Sequence, residues 1–300
     1  MGYIGFALLA LLASSGNTIF NRLGAKHASA LTNATVKSFF IVIASFLICL
    51  AFGHVKSLYA LDPIDFMWLG IIGVLTAVDW FFYFLAIKRT NLEAFSPFCT
   101  AGVLFTANLL FLIFTFGSVT NGGKSLNISL YIIGLVLLFG SLFFVMFNKK
   151  MNRSAKFIWV IFAIVSCIAW GFVLLIVKVK LSHISSDVIS FHQMLIVFVS
   201  MLIASLATKS IVEFGKIRPI DHLYIFIGAV FNALMNIFRY KAFSYDNCVP
   251  AIVNVIVYLD FVIVSIITVI FYKRDDKLAL VITIALVASG MILNLLAGLI

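Results

Sequence analysis

Ten stretches of roughly twenty apolar residues, divided by short polar breaks, leave this chain few ways to fold. They run over residues 3–21, 34–53, 66–87, 92–117, 127–147, 157–177, 187–208, 222–243, 247–272 and 278–299. A helix rises ~1.5 Å per residue, so about twenty residues cross the ~30 Å hydrocarbon core of a bilayer. Inside that core every backbone N–H and C=O must be paired within its own segment, and this selects the α-helix. The breaks carry turn formers such as Asp62-Pro63, Asn121-Gly122-Gly123 and Arg218-Pro219. The stretches use most of the 300 residues and leave no room for a water-soluble domain. The chain is expected to be an all-α integral membrane protein with ten transmembrane helices.

Charge leads to the same place. Only 11% of the residues are charged and 64% are hydrophobic, whereas a soluble domain carries roughly 25% charged residues to face water. The net charge of +10 does not point to nucleic acid, because the Lys and Arg residues sit mostly at the ends of apolar stretches. There they meet lipid phosphates and set topology. Cys49, Cys99, Cys167 and Cys248 lie within or beside apolar stretches, with no Cys-x-x-Cys pair and no ligand at metal spacing. They read as small apolar side chains, and no metal or cofactor is expected. The opening MGYIGFALLALLASSGN lacks a basic segment and stays apolar to Phe20, so it reads as a retained first helix. The expected setting is a multi-pass cell membrane protein of the bacterial inner or plasma membrane type. Its partners would be the lipid bilayer and a small-molecule substrate, with the chain a monomer or homodimer.

The chain also repeats itself. Placing Gly16 of the first span over Gly171 of the sixth brings Lys37 over His192 without a gap. A second anchor pairs Ala86 in FYFLAIKRT with Ala242 in FRYKAFSYD; each ends a span and precedes a polar elbow and an early proline, Pro97 or Pro250. The units are 1–148 and 157–300, joined by the basic loop 149–156. Five spans in each make the second copy inverted relative to the first, the architecture of carriers that expose one midplane site alternately to each side.

Ten spans in two five-span halves look like the drug/metabolite transporter superfamily, and within it the EamA group. The resemblance rests on the Ala-ended third and eighth spans with their elbows, the Trp170-Gly171 pair of the sixth span, and the basic-type residue early in the second and seventh. It implies a permease for amino acids, related amphipathic metabolites, or organic cations and drugs, often exported, with both termini cytoplasmic. Members often carry a Glu just after the fourth and ninth spans; here those loops read TFGSVTNGGKS and YKRDDK.

Of 11 acidic residues, only Asp79 and Asp260 lie well inside a span. An ionised carboxylate at the bilayer centre costs roughly 2.5–3.5 kcal/mol even on the lenient insertion scale. Each is therefore a candidate for binding a substrate ammonium or a coupling proton, against the alternative of a structural ion pair. Asn232, Asn236 and Arg239 follow i, i+4, i+7 on the eighth span and share a face. The repeat maps that face onto Thr76, Trp80 and Tyr83 of the third span, beside Asp79. These residues either line a cavity for an amphipathic or zwitterionic substrate or glue helices together. Ser14, Asn17, Thr18 and Asn21 form a similar stripe on the first span. Asn254 and Tyr258 share a face of the ninth span, with Asp260 about 120° around from Asn254. Lys37 and His192 are expected one turn into their spans, either snorkelling to the interface or standing at the mouths of the pathway.

No Walker loop, His-Glu-x-x-His, dinucleotide fingerprint or Gly-x-Ser-x-Gly is present, so no enzyme is read here. The expected function is a secondary transporter working by alternating access, with Asn17, Lys37, His192 and Asp260 as gating or coupling residues. A passive channel and a non-transporting scaffold are the competing readings. Orientation divides the signals: 15 of the 21 Lys and Arg fall on the side of the loops after odd-numbered spans. That places the 149–156 loop in the cytoplasm and both termini outside, opposite to what the resemblance implies.

Overall fold

The computed structural model describes residues 2–24, 29–87, 89–90, 92–115, 127–148, 157–263 and 277–299. The basic loop 149–156, Asp275, Asp276 and the Asn121-Gly122-Gly123 turn lie outside the described residues. Most of the described residues are helical: α1 (Tyr3–Gly24), α2 (Ala30–Ala51), α3 (Pro63–Ile87), α4 (Leu92–Thr115), α5 (Ile128–Phe147), α6 (Ile158–Lys180), α7 (Ser186–Ala207), α8 (Pro219–Phe243), α9 (Pro250–Tyr258) and α10 (Lys277–Leu299). Among the described residues, nine helices are long and apolar enough to cross a membrane. In the ninth span, helix is described over Pro250–Ile263, interrupted by a turn at Leu259.

Several helices start earlier than hydropathy indicates, because polar caps extend them beyond the apolar run. The Ser29 hydroxyl accepts from Thr32 N at 3.2 Å and starts α2 at Ala30 rather than 34. Pro63 and Pro219 likewise open α3 and α8 early, where a missing N–H costs nothing, whereas Pro250 opens α9 three residues later than hydropathy indicates. At the other end of α8, Lys178 Nζ donates to the carbonyls of Phe243 at 2.9 Å and Tyr245 at 3.1 Å. Terminal carbonyls without a helical partner are thereby satisfied. The outer faces are apolar and open: Leu12, Leu47, Val136, Ile161 and Ile203 are all exposed. Such a belt suits lipid and would drive association in water.

The first helix of each half packs into the other half. α1 lies against α8 and α9, while α6 lies against α3 and α4. Two three-helix groups result, α1–α8–α9 and α6–α3–α4. Exchanging the halves maps the other contacts too: α3 on α7 matches α8 on α2, and α2 with α7 and α5 with α10 map onto themselves. The α5–α10 contact is close enough to require glycine. A Cβ on Gly134 would stand 2.9 Å from the Gly290 carbonyl oxygen, and one on Gly290 would stand 2.9 Å from that of Gly134. Lys37 lies about two turns into α2 and is only 3% exposed, so it does not snorkel to the interface.

Candidate functional site

A cavity of about 220 Å³ opens among the helices. It lies toward the end where α1 and α3 finish and α2, α4 and α10 begin. The opposite end is filled by an apolar core that includes Leu11, Leu69, Ile72, Phe111, Val177 and Phe243.

The polar stripe of α1 turns inward: Ser14, Asn17, Thr18 and Asn21 all line the chamber. Lys37 on α2 joins it, with Nζ donating to Asn17 Oδ1 at 2.8 Å and standing 5.1 Å from the Trp80 ring. Asn21 Nδ2 donates to the same Asn17 oxygen at 3.1 Å. On α8, Asn236 Nδ2 donates to Asn232 Oδ1 at 3.3 Å, leaving the buried Asn236 Oδ1 without a hydrogen bond. One turn on, the Arg239 guanidinium lies 4.9 Å over the Tyr258 ring and 5.8 Å over Trp170. Its Nε has no hydrogen-bond partner. Trp170 Nε1 donates to the Tyr258 hydroxyl at 2.8 Å and thereby joins α6 to α9.

The two intramembrane carboxylates lie on different walls. Asp79 of α3 accepts from the Ser166 hydroxyl of α6 at 2.5 Å. Asp260 accepts from Ser14 at 2.6 Å and Thr18 at 3.3 Å, both on α1. Each carboxylate therefore binds the helix that has crossed into its group.

Among the residues singled out by sequence, Asn17, Lys37, Asp79, Trp80, Tyr83, Asn232, Asn236, Arg239, Tyr258 and Asp260 share the chamber lining. Three stand elsewhere. Thr76 is fully buried below it, accepting from Gln193 Nε2 at 2.6 Å and donating to Ile72 O. Asn254 is buried in the packing of α9, with neither amide atom hydrogen-bonded. His192 is held against Leu58 O at 3.1 Å and the edge of Phe66, away from the chamber. Residues not foreseen include Ser166, Ser96, Cys99 and Thr100. Ser166 precedes Trp170 by four, so helical spacing could have found it. No group of His, Cys, Asp and Glu suited to a metal occurs among the described residues.

Fold and chamber define a polytopic helical membrane protein with a solute-sized polar cavity among its spans. The second half of the chain is similar to the EamA-like transporter family, whose model matches residues 157–296. That half is thus similar to membrane transporters. A comparison with curated proteins gives no match. A solved crystal structure superposes with a TM-score of 0.65 over 97% of this chain and 95% of its own, at 16% identity, and extends the likeness in fold to both halves.

Proposed function

We propose that the protein is a secondary carrier that moves a small amphipathic metabolite, such as an amino acid or a related compound, across a cell membrane by alternating access. One observation carries the reading: a single chamber, filled in at one end only, gathers Lys37, Arg239, Asp79 and Asp260 between two helix groups. Buried charges of both signs are costly in a membrane protein unless they serve a ligand or each other. A cavity of about 220 Å³ suits a metabolite rather than a polymer. Residues 1–148 and 157–300 act as inverted repeats joined at 149–156, and the matched neighbour relations of the helices support this. Rocking of α1–α8–α9 against α6–α3–α4 would open the filled end and close the open one. Asp79 and Asp260 are the groups able to take up a coupling proton.

The experiment is a thermal-shift screen of the purified protein against metabolites, since a ligand of the folded state raises its melting temperature. The best ligand is then tested for counterflow in proteoliposomes. Saturable flux accelerated by substrate on the far side is expected. Flux that neither saturates nor counter-transports identifies a channel, and no flux identifies a scaffold.

A further inference from the structure

The four chamber charges are not equivalent. Arg239 and Asp260 lie within electrostatic reach of each other; the guanidinium is covered by the rings of Tyr258 and Trp170, and the carboxylate is held by Ser14 and Thr18. Both ends of this arrangement belong to α8, α9 and α1, which already pack together.

Lys37 and Asp79 differ. Among the described side chains neither has an ionic partner. The Lys37 ammonium has three donors, and Asn17 takes one. Asp79 has two oxygens, and Ser166 engages Oδ1; no described side chain donates to Oδ2. Lys37 is 3% exposed and Asp79 9% exposed, so bulk water does little for either. A buried charge with no counterion is a liability that a protein keeps for a partner arriving from outside. Here one basic and one acidic side chain, without an ionic partner among the described residues, line the same chamber from different helices. A single molecule carrying both signs satisfies both.

We propose that Lys37 and Asp79 are the two anchors of a zwitterionic substrate, with the anionic group on Lys37 and the ammonium on Asp79. Arg239, under its two rings, and Asp260, held by α1, shape the wall. The proposal rests on the carrier reading and names which charges of the chamber meet the substrate. Lys37 then selects for the carboxylate together with its neighbours Asn17 and Asn21, and Asp79 selects for the amine. Because Asp79 is bound to the α6–α3–α4 group and Lys37 to Asn17 of α1, a bridging zwitterion also draws the two groups together.

The test uses the purified full chain and thermal shift with the twenty proteinogenic L-amino acids, then the decarboxylated amine and the deaminated acid of the best binder. Two charge-assisted contacts predict that the amino acid binds at least about tenfold more tightly than either truncated analogue. In Lys37→Gln the amino acid should fall to the affinity of the amine, whose own binding is unchanged. In Asp79→Asn it should fall to that of the acid. If either variant fails to fold, Lys37→Arg and Asp79→Glu replace them; each should weaken the amino acid more than the analogue that lacks the matching group. Selectivity for the amino acid over the amine left intact in Lys37→Gln, or over the acid left intact in Asp79→Asn, overturns the assignment. If none of the twenty binds, the zwitterion proposal falls, while the carrier reading is judged separately by counterflow with the ligand from the metabolite screen.

Discussion

Tyr240 donates its hydroxyl hydrogen to Gln193 Oε1 at 2.7 Å, and through this contact α7 joins α8 to α3, because Gln193 Nε2 donates in turn to Thr76 Oγ1 at 2.6 Å. All three side chains are buried. Tyr240 lies one turn beyond Asn236, and Thr76 one turn before Asp79, both of which line the chamber. The glutamine is thus a clasp between the two helix groups at the chamber's filled end.

Breaking the clasp on one side should cost more than removing it. Gln193→Met keeps the volume but strands the Tyr240 hydroxyl in apolar surroundings, at about 1–3 kcal/mol. Adding Tyr240→Phe removes the stranded group, and most of the loss should return. Denaturant unfolding in detergent of both single variants and the double variant measures this. Losses that simply add would mean that the two side chains do not interact.

The α5–α10 seam should be the least tolerant of added volume. A Cβ on Gly134 meets the Gly290 carbonyl oxygen at 2.9 Å and Asn294 Nδ2 at 2.8 Å. A backbone atom cannot rotate aside as a side chain tip can. Gly134→Ala should therefore destabilise by about 1–3 kcal/mol, visible as a lower melting temperature. Gly140→Ala, on the same helix with nothing within 4 Å of the added atom, should leave it unchanged or slightly raised.

These contacts mark what hydropathy can and cannot carry. The spans were legible because a membrane imposes the same length and apolarity on each of them. The chamber was partly legible because a polar residue in lipid needs an explanation, and Asp79, Asp260 and the asparagine stripes supplied it. Helical spacing says which residues share a face, not which helix covers it. Thr76 keeps the spacing of Trp80 and Tyr83 yet lies lower, under Gln193. Asn254 shares a face with Tyr258 but belongs to the part of α9 sealed by packing, whereas Asp260, past the turn at Leu259, reaches the chamber. Lys37 and His192 match in sequence and diverge in place, because the loop carbonyl of Leu58 captures the histidine. Ser166 carries only the signal of its four-residue spacing from Trp170, and its role shows once Asp79 is seen to be its partner.

Membrane orientation follows from charge. Of the 21 Lys and Arg, 15 fall on the side of the loops after odd-numbered spans, the end toward which the chamber lies. The positive-inside rule puts that side in the cytoplasm. A reporter active only in the cytoplasm, fused after Ile300, should be inactive, and one inserted in the 149–156 loop active. The reverse pattern would assign the open face of the chamber to the exterior.

Cysteine chemistry offers a direct probe of that open face. All four cysteines are free; Cys49, Cys167 and Cys248 are buried, and Cys99 is the half-buried one. It is also the only cysteine in the chamber lining. Reactivity requires a thiolate and an approach path, so packing should protect the other three. A small water-soluble methanethiosulfonate should modify one thiol per native molecule and four after denaturation. Cys99→Ala should abolish the native reaction, and a bound substrate should slow it by filling the same space. In sealed vesicles the reagent should reach Cys99 from the side of the basic loops and not from the other. Modification from the opposite side, or of a second cysteine at a similar rate, would mean that the filled end of the bundle opens in the resting protein and that Gln193 does not hold it shut.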